Sequence, residues 1–187
     1  MSNSFFKKII ALASDIIETV IIALVVFLIV YIFLVQPHRV SGESMLPNFE
    51  NGELILTDKL SYKFGQPKRG AVIVFKAPPD KKRDFIKRII GLPGEKISLS
   101  AGKILINDQI LTENYLPGDF RVIEGSFLRE GETKQLPSDY YFVIGDNRSH
   151  SFDSREWGFL IKEDIVGRAW VVYWPLNKIS FVKSISY

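Results

Sequence analysis

The chain has 187 residues, 24 Lys and Arg against 21 Asp and Glu, 47% hydrophobic residues and no cysteine. This composition excludes disulfides and cysteine chemistry, and it holds too much apolar material for a disordered chain. The net charge of +3 is that of an ordinary mixed surface and gives no footprint for nucleic acid.

Residues 1–15 read as a short amphipathic cytoplasmic lead. Residues 16–35 read as a membrane span, because positions 19–35 carry no charge and consist almost wholly of Val, Ile, Leu and Phe. With its flank the run reaches roughly 20 residues, enough to cross a bilayer as a helix. A cleaved secretory signal is the alternative, since Lys7 and Lys8 precede the run. Against it stand the length of the run and the sequence Gln36-Pro37-His38-Arg39, which lacks the small-x-small pattern of a cleavage site. Lys7 and Lys8 before the span outnumber Arg39 just after it, which favours the N-terminus inside. The remainder, 36–187, then faces the outer, periplasmic or lumenal side.

From residue 39 onward the pattern is that of short β-strands punctuated by Gly and Pro. Expected strands cover 53–57, 71–75, 84–90, 96–99, 103–106, 109–112, 140–144 and 169–174. Asn107-Asp108 between two of them predicts a tight hairpin, since both residues tolerate positive φ. A helical turn is expected near 161–165, and 118–137 reads as a long loop or weak hairpin.

Only two His, no Cys and no His-x-x-x-His spacing mean no metal site is expected, and no phosphate-binding or dinucleotide fingerprint calls for a cofactor. The basic run Lys81-Lys82-Arg83 follows Pro78-Pro79 and reads as a solvated turn. In the strand 84–90, Phe85, Lys87 and Ile89 share one face, so Lys87 lies between apolar neighbours. Burial lowers a Lys pKa and makes it a general base, a role closed to Arg88. Ser44 is a candidate nucleophile for such a base. It lies about nine residues beyond the span, a reach of roughly 30 Å at most, so any substrate is tethered at the membrane.

Three segments carry a resemblance: Ser44-Met45-Leu46-Pro47, Lys87-Arg88-Ile89-Ile90-Gly91-Leu92-Pro93-Gly94-Glu95, and residues 145–155 followed by Trp157-Gly158. A fourth, Arg69-Gly70-Ala71-Val72-Ile73-Val74-Phe75, lies between the first two. In this order they resemble the signature boxes of type I signal peptidases, membrane-anchored serine endopeptidases with a Ser-Lys dyad. The resemblance implies a mostly β fold: a coiled antiparallel β-sheet domain with a small β insert at about 97–137, after one N-terminal transmembrane helix. It also implies cleavage of signal peptides from preproteins after Ala-x-Ala-like sites, in a plasma membrane or thylakoid-type membrane.

By the same resemblance Ser44 is the nucleophile, Lys87 the base, and Ser151 the hydroxyl that hydrogen-bonds and orients the Lys. Val40, Met45, Phe85 and Ile86 fall near the substrate pockets. Asp153 and Arg155 fall on a structural ion pair, and Asp146 and Arg148 on further loop-fixing positions. The implied partners are preproteins and membrane lipid, with no nucleic acid and no metal. Gly42 stands where some members have a Ser that helps bind the oxyanion. The Ser44 N–H is then the first candidate donor and the second is open. His150 with Ser44 and Asp153 forms an alternative triad. The rival functions are a self-cleaving repressor protease, which carries a DNA-binding module where this chain has a span, and a catalytically silent, membrane-anchored binding domain of the same fold.

Overall fold

The computed structural model describes residues 2–118, 120–183 and 185, the side chains of residues 2–6 and 32 excepted. One long helix, α1 (Ser2–Ile29), opens the chain. No Gly or Pro interrupts it, so the backbone stays helical across the expected boundary between lead and span. Its stretch Lys7–Ile29 has a mean hydropathy of 2.5 and none of it is buried against protein, which is consistent with a membrane anchor. The helix gives way to one π-helical turn, Val30–Leu34, and Val35 is already extended. The apolar run read as a span up to residue 35 is thus divided between helix, turn and the first residue of a strand.

Twelve strands follow among the described residues. The larger, antiparallel sheet runs in the order β1 (Val35–Arg39), β2 (Leu54–Asp58), β11 (Ile165–Trp174), β3 (Val72–Ala77), β4 (Asp80–Gly91), β9 (Tyr140–Ile144) and β10 (Leu160–Ile161), with β12 (Ser180–Phe181) paired to β11. The smaller sheet has the order β7 (Gln109–Ile110), β6 (Lys103–Ile106), β5 (Lys96–Ser100) and β8 (Thr133–Gln135). The architecture is mostly β, as expected. β1 lay outside the expected strands because Pro37 interrupts its pattern. It is tolerated because β1 is an edge strand, where a missing N–H breaks no ladder on the free side.

The second half of β4, from Lys87, and nearly all of β9 are buried on both faces, which the unbroken apolar run of β9 requires. Ile89, Tyr141 and Val143 pack with Ile73 and Phe75 on one side, while Ile90, Phe142 and Ile144 pack on the other. On that second side they meet Ile97, Leu99 and Ile104 of the smaller sheet, which is how the two sheets are held together. Asn107 and Asp108 take φ of 49° and 66°, the tight hairpin their identities predict. The expected strand 109–112 is only two residues long, and β4 begins four residues earlier than expected, at the turn after Pro79. The expected loop 118–137 contains β8, a polar edge strand of Thr-Lys-Gln with no apolar alternation to betray it. It also supplies Val122, Leu128 and Leu136 to the core; Asp119 lies outside the described residues. The expected turn near 161–165 is a 3-10 turn, Lys162–Asp164.

Candidate active site

Ser44 lies in the loop between β1 and β2. The loop is fixed from both ends: Val40 N donates to Glu53 O at 2.8 Å, and Phe49 N to Met45 O at 3.0 Å, while Val40, Met45 and Phe49 are buried in one apolar cluster. This leaves Ser44 half-buried at the loop surface. Lys87 comes from the middle of β4, 4% exposed. Its Nζ sits 2.8 Å from Ser44 Oγ, 2.9 Å from Ile86 O and 5.4 Å from the centroid of the Phe85 ring. Burial pushes the Lys87 ammonium down from 10.5 to about 8; the Asp153 and Asp146 carboxylates oppose that shift and the Arg155 guanidinium adds to it.

A cleft of about 220 Å³ opens beside this pair, and Val40, Phe85 and Ile86 line it. Met45 does not. It is 1% exposed and forms part of the core with Val40, Ile55 and Val74, because the turn that exposes Ser44 directs the next side chain inward. His38 and Asp84, which the sequence reading left aside, also line the cleft. His38 Nδ1 is 2.9 Å from Thr57 Oγ1, and Nε2 is 3.3 Å from Asp84 Oδ2 without hydrogen-bond geometry. Burial holds the His38 pKa below its ordinary value despite that carboxylate. The alternation of β1 gave the available signal, since His38 is two residues before Val40 and so on its face.

The segment after β9 wraps the site. Asn147 N donates to Ser44 O at 3.1 Å, and Asn147 Nδ2 to Glu43 O at 3.1 Å. Asp153 caps the short helix α3 (Ser154–Trp157), accepts from Gly145 N at 3.0 Å, and holds Arg155 through Nε and Nη2 at 2.8 Å each. Arg155 in turn donates to the carbonyls of Arg148, Ser151 and Ile123. Asp146 takes a bidentate grip from Arg88, at 2.7 and 2.6 Å, and a hydrogen bond from Asn48 Nδ2. Arg148 reaches Glu113 and Tyr115 of the insert. Glu113 and Tyr115 carry no signal in the sequence. Arg88 does, because a cation between Ile86 and Ile90 on a strand face needs a buried partner.

The hydrogen bond expected between Ser151 and Lys87 is not formed. The Ser151 hydroxyl is buried without a partner, while Lys87 Nζ is turned to Ser44 Oγ and Ile86 O. Ser151 instead abuts Gly145. A Cβ on Gly145 would fall 2.2 Å from Ser151 Oγ and 2.3 Å from Ser44 O, closer than any real contact. Only Gly lets the two segments meet there. Gly145→Ala is therefore expected to displace Ser44 and to lower kcat by about 10²-fold, the usual result of an ångström-scale misplacement. The overpacking itself costs about 1–3 kcal/mol. Steady-state kinetics beside a thermal melt check both.

His150 is exposed, with Nδ1 2.9 Å from Ser149 Oγ and no bond to Ser44 or Asp153, so the alternative triad is not assembled. The Ser44 N–H donates to no acceptor among the described residues. Gly42 supplies no second oxyanion donor, since its N–H is engaged with Asn51 Oδ1 at 3.0 Å and it has no side chain.

A serine hydroxyl on a buried Lys, with three ion pairs bracing the loops, is the setting in which the comparison with known proteins is read. Residues 13–174 match the family described as signal peptidase, peptidase S26. The chain belongs to this family. Signal peptidase I of Leptolyngbya laminosa is 37% identical over 172 residues, covering 87% of this chain and 80% of that one. Signal peptidase I of Bacillus caldolyticus is 37% identical over 158 residues, covering 80% and 85%. The probable thylakoidal processing peptidase 2 of Arabidopsis thaliana is 33% identical and covers 95% of this chain but 48% of its own length. A crystal structure of a signal peptidase I from Enterococcus faecalis matches at a TM-score of 0.45 and 27% identity, over 55% of this chain and 96% of that one. Family membership makes the chain a serine endopeptidase of the signal peptidase I class.

Proposed function

We propose that this chain is a membrane-anchored endopeptidase that removes signal peptides from exported preproteins after Ala-x-Ala-like sites, with Ser44 as nucleophile and neutral Lys87 as general base. The observation that carries the reading is the 2.8 Å separation of Ser44 Oγ and a buried Lys87 Nζ. Lys87 takes the Ser44 proton as Oγ attacks the scissile carbonyl, and the Ser44 N–H faces the developing oxyanion. The Lys87 ammonium returns its proton to the leaving amine. Neutral again, it takes a proton from the water that attacks the acyl-enzyme and passes it to Ser44 Oγ as the ester bond breaks, leaving the signal peptide with a new carboxylate.

The size of the cleft supports small side chains in the substrate. At about 220 Å³ it falls below the usual range for ligand pockets, and its walls at Val40 and Ile86 are apolar. An extended substrate turns every second side chain to the same wall, which suits a small-x-small pattern. Ser151 keeps a supporting role through its contact with Gly145. Asp146, Arg148, Asp153 and Arg155 hold the loops. In this reading residues 1–15 lie inside, the apolar part of α1 spans the membrane, and the domain from residue 36 lies outside with its insert at 97–137.

The test is cleavage, in detergent, of a preprotein whose signal ends in Ala-x-Ala. Ser44→Ala is expected to lose more than about 10³-fold in rate while remaining folded, and His150→Ala to stay within twofold of the parent. A substrate with Phe in place of the last Ala is expected to resist cleavage. Retained cleavage by Ser44→Ala would sink the assignment, and no cleavage by the parent would favour the silent binding domain.

A further inference from the structure

A second groove, of about 650 Å³, lies where α1 meets the sheet, far along β1 from Ser44. Its walls are Val30, Leu34, Leu60, Phe64 and Trp170, and Arg168 stands at its polar end. Val35 and Arg168 are both cross-strand neighbours of Asp58, so the ends of β1, β2 and β11 lie side by side at the end of the apolar helix. The groove therefore continues the exposed surface of that helix. Two of its walls are large aromatics left open: Phe64, on the short helix α2 (Ser61–Phe64), is 88% exposed, and Trp170 is 40% exposed with its ring 6.1 Å from that of Phe181. The pairing of β11 with β2 skips Trp170, passing from Ala169 to Val171, while the Trp170 carbonyl accepts from Val182 N at 2.8 Å.

The polar end is unbalanced. The Asp58 carboxylate accepts from Leu60 N at 2.9 Å, Ser61 N at 3.0 Å and the Ser61 hydroxyl, and it is only 3.6 Å from Arg168 Nη2. Arg168 Nε is buried and donates to nothing among the described residues. The Arg168 side chain as a whole is 35% exposed, and its guanidinium fork, which Asp58 holds only at 3.6 Å, matches a phosphate. An apolar channel open to the bilayer level, ending in an arginine only loosely paired with Asp58, is complementary to one class of molecule. We propose that the groove binds a phospholipid of the surrounding membrane, one acyl chain lying along Val30, Leu34, Phe64 and Trp170 and the phosphodiester meeting Arg168.

The inference rests on the reading of α1 as a membrane span, and its test separates the two. The full chain is reconstituted in phosphatidylcholine vesicles containing a phosphatidylglycerol with a photoactivatable acyl chain, and the labelled peptides are mapped. Label is expected on 30–35, 58–64 and 168–170 as well as on 7–29. Arg168→Gln is expected to lower the groove label about tenfold without changing the label on 7–29. Phe64→Glu, at a position exposed enough to leave folding intact, is expected to do the same. Inorganic phosphate at 10-fold excess over the probe, the free-anion arm, is expected not to compete. Label on 7–29 alone in the parent protein overturns the lipid site and leaves the span standing. Absence of label from 7–29 overturns the span, and the groove proposal with it. Groove label that phosphate displaces, or that both variants retain, overturns recognition of the lipid there.

Discussion

Lys87→Met is expected to lose cleavage by more than about 10³-fold and yet to unfold less readily than the parent at pH 7. The ammonium is held at about 8 by burial, against an ordinary 10.5. In that interval the folded state binds fewer protons than the unfolded one, so folding is opposed by up to about 3 kcal/mol, at ~1.4 kcal/mol per unit. The penalty is fully present below pH ~8 and fades as the pH rises towards ~10.5. Met keeps the apolar stem and has nothing to desolvate. It forfeits the contacts with Ser44 Oγ and Ile86 O, worth about 1 kcal/mol each, which leaves a net gain of about 1 kcal/mol at pH 7. Denaturant melts of the full chain in detergent at pH 7 and 10.5 measure the gap, which is expected to close and reverse at the higher pH. The rate of the parent is expected to fall about tenfold per pH unit below ~8, as the neutral base is titrated away. A Met variant less stable at both pH values by the same amount would mean that Lys87 is comfortably charged, and the general-base role would fall.

The sequence made some of this legible because the information was local. The face shared by Phe85, Lys87 and Ile89 is a property of any strand, and it placed the amine between apolar side chains before any partner was known. The hairpin at Asn107-Asp108 and most strands of the two sheets are set by neighbours in the chain. What was not legible depends on contacts distant in sequence. Glu113 is polar in an unpatterned segment and becomes the buried partner of Arg148, 35 residues away, only once the insert packs. β8 has no apolar alternation because its support is the β5 ladder. Met45 follows Ser44 directly, and the family resemblance set it near the substrate pockets. A tight turn reverses that, sending adjacent side chains to opposite sides. The expected bond between Ser151 and Lys87 failed similarly, because Gly145 lets Ser151 settle against the backbone rather than the amine.

Asp153→Ala is expected to cost about 3–5 kcal/mol of stability, since it strands a buried cation. Asp153 is fully buried and Arg155 is 3% exposed, so water cannot take over the lost contacts with the guanidinium, with Gly145 N or with the first turn of α3. Two milder variants separate this structural role from an electrostatic one. The Asp153 carboxylate raises the Lys87 pKa and the Arg155 guanidinium lowers it. Asp153→Asn is therefore expected to move the acid limb of the pH–rate profile to lower pH, and Arg155→Gln to move it to higher pH. Damage to the loop alone would lower kcat in both without moving the limbs in opposite directions. Opposite displacements would show that the ion pair holding the loop also sets the proton affinity of the base. The two partners act on Lys87 in opposite senses, so either one removed alone exposes the field of the other.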